Sequence, residues 1–207
     1  MGTSRTMGFV SMIRASHGFY DEKVTWMVMT LGYSDEDMSK FRHVAQELGV
    51  ALVEVKNSKE LVNYLNSMNK DVSMPDGEPG ELSSNRSADP ITKMSIFGHG
   101  ISGLALLGAG DFPAGDLTSE ALGGNRQDAF RSPSIGLYTC NAATPLNDGV
   151  SFAQILSAAT DGEVRGYEGR TDYAKINPSG SSLADKFNRF INGFNTHGSQ
   201  QMPQAGL

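Results

Sequence analysis

Between residues 24 and 65 the spacing of apolar residues switches repeatedly between two periods. That switching limits the fold more than any other property of the chain. Residues 24–29 (VTWMVM) form a short β-rich apolar run, closed by Gly32, and read as a buried strand. Ser34 followed by Asp35, Glu36 and Asp37 marks a helix start, because carboxylates favour the positive end of the helix dipole. Met38, Phe41, Val44, Ala45 and Leu48 then recur at helical spacing, and Gly49 ends the run. Residues 51–55 (ALVEV) predict a second strand. Asn57 or Ser58 caps a second helix with Leu61, Val62 and Leu65 on one face. Strand, helix, strand, helix is the rhythm of a parallel sheet with crossover helices.

The rest of the chain extends this pattern with interruptions. Residues 1–22 lack clear periodicity and predict a loosely packed lead-in. Residues 71–90 hold three prolines and two glycines among Ser and Asp, which predicts a long mobile loop. A strand over 91–97 runs into Gly98-His99-Gly100, and a short hairpin arm follows over 101–107. Residues 108–133 are rich in Gly, Asp and Pro, with a short helix near 119–122. A strand over 134–139 ends at Cys140. A helix over 150–159 and a strand over 163–169 come next. Leu183, Phe187, Phe190, Ile191 and Phe194 share one face of a helix over 182–194, and a tail begins near residue 196. The expectation is one domain over 23–195, a three-layer α/β/α sandwich with a mostly parallel sheet.

Charge and cysteine content narrow the function classes. The net charge is −6 and no dense Lys/Arg run occurs, which argues against a nucleic-acid partner. No apolar run approaches the ~20 residues of a membrane span. The first apolar stretch is broken by Arg5, Ser11 and Arg14, so no signal peptide is expected. These features predict a soluble protein, cytoplasmic or delivered as an effector. Cys140 is the single cysteine, so an intramolecular disulfide and a Cys-rich zinc site are both ruled out. His17, His43, His99 and His197 do not stand at metal-ligand spacing, and no metal or cofactor is expected.

Two chemically capable residues coincide. His99 and Cys140 each leave the carboxyl end of a predicted strand, the edge of an open α/β sheet where ligands bind. Alone, a cysteine ending an apolar strand is usually a small buried hydrophobe, and a histidine between glycines is an ordinary turn residue. Together they offer a thiol and an imidazole that can take its proton. The backbone N–H groups of Gly100 and Cys140 are candidates for an oxyanion hole. A helix following Cys140 would further favour a thiolate.

The strand ending FGHG, followed 41 residues later by a strand ending YTC, resembles the clan CD cysteine peptidases. These are the caspase-, gingipain-, clostripain- and legumain-like enzymes and the self-cleaving domains of bacterial toxins. The stretch from YTCNAATPLNDG through SFAQILSAATDGEVRGYEG is similar to their bacterial members, and the resemblance spans roughly residues 24–170. It implies a caspase-like fold, Cys140 as nucleophile and His99 as general acid/base. It implies peptide-bond hydrolysis through an acyl-enzyme, with a protein or peptide as substrate. The 71–90 loop becomes a candidate self-processing segment, and a homodimer or a larger host polypeptide becomes the expected setting. In the family, part of the specificity pocket comes from the strand after the cysteine. Here that strand and its exit offer Arg165, Tyr167, Glu168 and Asp172. Glu168 or Asp172 would select a basic residue at the cleavage site and Arg165 an acidic one. The inositol-phosphate-binding basic patch of the toxin-type members has no obvious equivalent in this acidic chain.

Two readings compete. One is a peptidase-like fold used for binding alone, with an unreactive Cys140. The other is a nucleotide-binding module, because Gly98, Gly100 and Gly103 fit G-x-G-x-x-G. That fingerprint needs a long helix after the glycines, and residues 104–110 hold too much glycine for one.

Overall fold

The computed structural model describes residues 9–15, 22–72, 82–110 and 113–170. In chain order the strands are β1 (Phe9–Ala15), β2 (Glu22–Met29), β3 (Ala51–Val55), β4 (Ile91–Phe97), β5 (His99–Ile101), β6 (Leu104–Leu106), β7 (Asp116–Leu117), β8 (Phe130–Tyr138) and β9 (Glu163–Arg165). The helices are α1 (Asp35–Leu48), α2 (Ser58–Ser67), α3 (Ser84–Ala88), α4 (Ser119–Gly123) and α5 (Phe152–Thr160). The helix expected over 182–194, the tail and Asp172 lie outside the described residues.

Six strands form one sheet in the order β3-β2-β1-β4-β8-β9. The β2/β3, β4/β8 and β8/β9 pairs are parallel. Strand β1 runs antiparallel between β2 and β4, with Phe9 opposite both Val28 and Phe97. The expected lead-in over 1–22 therefore contributes an internal strand. It forms a hairpin with the next strand, β2, and its other neighbour, β4, is distant in sequence.

Side-chain alternation gives the sheet two buried faces. Met27 and Met29 of β2, Met94 and Ile96 of β4, and Ile135 and Leu137 of β8 pack under α2, α4 and α5 through Leu61, Leu65, Leu122, Phe152 and Leu156. Each such fully buried side chain contributes about 2 kcal/mol relative to exposure. Val28, Phe97 and Tyr138 face the other way, against Met38 and Phe41 of α1. The chain is thus a mixed α/β structure with a mostly parallel sheet and helices on both faces.

Local chemistry sets the helix ends. Ser34 caps α1 in a reciprocal box with Asp37, and Gly49 closes it at φ 65°. Asn57 caps α2 by accepting from the Glu60 N–H at 2.8 Å. Ser151 and Gln154 form the same kind of box at the start of α5. Arg42 of α1 forks onto Glu54 of β3 at 2.6 and 3.0 Å and holds that carboxyl below its ordinary range. Both groups are largely exposed, so the pair contributes little to stability.

Two expectations need correction. Part of the 71–90 segment is ordered: Ser83 caps α3, and Arg86 within it is completely buried. Strand β8 starts at residue 130 rather than 134 and carries Pro133. The ladder tolerates this proline through a register shift between Ile91 and Lys93, with Ser132 at φ 42°. Among the described residues, no helix is long and apolar enough to cross a membrane.

Candidate active site

The register of β4 on β8 positions the site. Ile96 lies opposite Leu137 and Phe97 opposite Tyr138. The ladder ends at this last pair, so His99 and Cys140 each follow two residues past the carboxyl end of their strand. The Phe97 and Tyr138 rings, at the last pair of the ladder, stack at 4.7 Å, 13° from parallel.

After Gly98 the chain turns into the β5–β6 hairpin, closed at Ser102-Gly103 with Gly103 at φ 88°. With β7 it makes a small three-stranded sheet. The Gly100 backbone lies directly on Cys140. A Cβ there would clash with the Cys140 carbonyl oxygen, and would stand 2.9 Å from the Thr139 Cβ and 3.1 Å from the Cys140 nitrogen. Glycine at 100 is what allows the two backbones to meet. Antiparallel alternation, counted from the Ile101/Leu104 pair beside the turn, points the Gly100 N–H away from β6. The His99 side chain is exposed and the Cys140 side chain is half-buried. The contact between the two segments is thus made by main chain. Gly98 to Gly103 form a hairpin with no helix after it, so the nucleotide-binding fingerprint lacks its phosphate-binding helix start.

The turn that follows Cys140 is fixed by main-chain hydrogen bonds. Asn141, at φ 56°, donates its N–H to the Gly169 carbonyl at 2.6 Å. Ala143 donates to the Tyr167 carbonyl at 3.0 Å, and Ala153 of α5 donates to the Ala142 carbonyl at 2.9 Å. Helix α5 therefore reaches the cysteine turn through Ala142. It begins at Phe152, close to the start expected at residue 150.

The substrate-binding candidates separate. Tyr167 and Glu168 lie on the segment bonded to the cysteine turn. Tyr167 is half-buried against the Phe97–Tyr138 cluster, and Glu168 is exposed. Burial raises the Tyr167 and Tyr138 phenols above their usual range, so both are neutral donors at physiological pH. Arg165 pairs with Gly136 in the ladder and gives its guanidinium to Glu163 at 2.6 and 2.9 Å. It lies four residues before Gly169, roughly 13 Å along an extended chain, and so stands back from the cysteine. The expected strand over 163–169 is a ladder only to residue 165, because residues 167–169 bond to the cysteine turn instead.

Thr139 is the residue that sequence reading missed. It is completely buried, and its Oγ1 has no hydrogen-bond partner among the described residues. A threonine at a strand end gives no sequence signal of an orphaned hydroxyl. Replacing it by the isosteric valine removes that buried polar atom. Thr139→Val is expected to raise stability by about 1 kcal/mol, or ~2–4 °C in Tm, read by thermal unfolding. A drop in Tm would mean that the hydroxyl is hydrogen-bonded.

Among the described residues, no cluster of three His, Cys, Asp or Glu side chains stands where it could hold a metal ion. A surface cavity of about 560 Å³ lies elsewhere, between α4 and α5, and its Arg126 pairs with Asp128. Comparison with protein-family models, with curated proteins and with solved structures finds no match to this chain.

Proposed function

We propose that this chain is a cysteine endopeptidase of the clan CD type, on a caspase-like variant of the α/β fold. The observation that carries the reading is Gly100 seated on the Cys140 main chain, with His99 and Cys140 each two residues past the last pair of the parallel β4–β8 ladder. The sequence order of histidine strand and cysteine strand supports it.

The Cys140 thiolate attacks the scissile carbonyl carbon and forms a C–S bond, pushing the carbonyl electron pair onto oxygen. The N–H groups of Gly100 and Cys140 stabilise that oxyanion. The C–N bond breaks as His99 gives a proton to the leaving amine. Water, deprotonated by His99, then attacks the thioester, and the acid product leaves with the thiolate restored. Tyr167 and Glu168 border the substrate channel, and Glu168 favours a basic side chain at the cleavage site. The substrate is a protein or peptide. Self-processing within 71–90 would fall outside the anchored α3 portion.

Cys140 alkylation, followed by intact mass over pH 5–9, tests the dyad without a substrate. Labelling is expected to stay fast near pH 6–7, where an ordinary thiol is protonated, and to slow at least about tenfold in His99→Ala. An ordinary thiol profile that His99→Ala leaves unchanged would reject the dyad and favour a peptidase-like binding module.

A further inference from the structure

We infer that Ile101, Leu146 and Val150 form an apolar subsite that takes one hydrophobic side chain of a bound peptide next to the scissile bond. This rests on the peptidase reading and adds a substrate class to it. Among the described residues, these three are the large apolar side chains left exposed, at 52%, 41% and 38%. Single exposed hydrophobics are ordinary, but here all three lie on the two segments that flank Cys140. Ile101 shares a face of β5 with His99, two residues along. Leu146 and Val150 belong to the loop that leaves the cysteine turn.

The two segments touch. Gly103, in the hairpin turn beyond Ile101, is so close to Leu146 that a Cβ would come within 2.6 Å of its Cδ1. The loop is built to present its apolar pair. Leu146 donates its N–H to the Val150 carbonyl at 2.9 Å, Gly149 donates back to the Leu146 carbonyl at 2.9 Å, and the Asp148 carboxylate accepts from the Val150 N–H at 3.0 Å. These bonds bring Leu146 and Val150 together at the loop's mouth. The patch lies on the hairpin and the loop that adjoin Cys140, and three partly exposed side chains are too small for a stable protein interface, which buries ~800 Å² per partner. An apolar side chain of an extended peptide held at Cys140 fits it in size and chemistry.

The test uses equilibrium capture of a random decapeptide library on immobilised Cys140→Ala protein, read by mass spectrometry. Burial of one apolar side chain predicts an enrichment of Leu, Ile, Met or Phe at one position by roughly five- to tenfold. The enrichment is expected to fall to library frequency when Ile101→Ser and Leu146→Ser are added. Ile101→Ser alone, at a side chain more than half exposed, is the check should the double variant lose stability. It is expected to reduce the enrichment about twofold. No apolar enrichment, or the same enrichment in the rim variants, overturns the subsite. Cleavage of the same library by the unmodified chain separates the two proposals. Apolar capture without cleavage keeps the subsite and removes the peptidase reading. Cleavage with no apolar preference does the reverse.

Discussion

Gly100→Ala is expected to displace Cys140 and to cost about 3 kcal/mol or more of stability. The new methyl group would enter space held by the Cys140 carbonyl oxygen, with the Thr139 Cβ and the Cys140 nitrogen close behind. These are not flexible side-chain ends. Tyr138, one residue earlier, is held in the β4 ladder, and Asn141, one residue later, is bonded to Gly169. Either the hairpin lifts from the cysteine or the cysteine turn leaves its bonds to 167–169. Both outcomes alter the surroundings of the thiol. Thermal unfolding and the rate of Cys140 alkylation report the two effects separately. Gly123→Ala is the matched control: it lies in α4 with nothing within 4 Å of the added atom, so it is expected to be neutral or slightly stabilising. A Gly100→Ala protein with unchanged Tm and unchanged labelling would mean that the hairpin does not rest on Cys140.

Arg86→Met is expected to lose on the order of 3–5 kcal/mol. Arg86 is 0% exposed. Its Nε donates to the Leu65 carbonyl at 2.6 Å, Nη2 to the Tyr64 carbonyl at 3.1 Å and Nη1 to the Asp89 carbonyl at 3.1 Å. Tyr64 and Leu65 belong to the last turn of α2, where the Tyr64 carbonyl also accepts from the Met68 N–H at 2.9 Å. The guanidinium fork thus closes α2 and ties the 84–89 segment to it, while lying 5.9 Å from the Tyr64 ring centroid. Methionine fills similar volume but supplies no donor, so the Leu65 and Asp89 carbonyls lose the guanidinium while Tyr64 keeps only the Met68 N–H. Arg86→Lys is expected to fall between the two, about 2 kcal/mol below the parent, because one ammonium does not reproduce a planar fork. Urea unfolding measures both. A loss under about 1 kcal/mol for Arg86→Met would show that water reaches these carbonyls.

Sequence reading succeeded where structure is local. The α1 boundaries follow from Ser34 and Gly49, and β3 and β4 from short β-rich stretches of mainly apolar residues. The place of His99 and Cys140 just beyond the ends of β4 and β8 was legible because each follows its strand directly in sequence. What escaped depends on distant partners. Strand β1 exists through its pairing with β2 and β4. Arg86 lies in a Ser- and Asp-rich stretch that reads as exposed, and only the folded position of α2 supplies its acceptors. Arg165 appeared as a candidate substrate ligand because its neighbour Glu163, two residues away, was not weighed as its partner. The exposed rim at Ile101, Leu146 and Val150 looks in sequence like ordinary loop hydrophobicity.

The turn after Cys140 is secured by the N–H groups of residues 141, 143 and 153, and by the carbonyls of 142, 167 and 169. None of these bonds involves a side chain. The backbone at Cys140 is therefore held mainly by main-chain bonds, and its limits are local: positive φ at Asn141 and Gly169, no room beyond a methyl at the buried Ala142 and Ala153, and no proline at the three donors, since proline has no N–H to give. Descendants of this chain can exchange exposed side chains beside this turn, such as Glu168, while the path of the main chain at Cys140 is inherited unchanged.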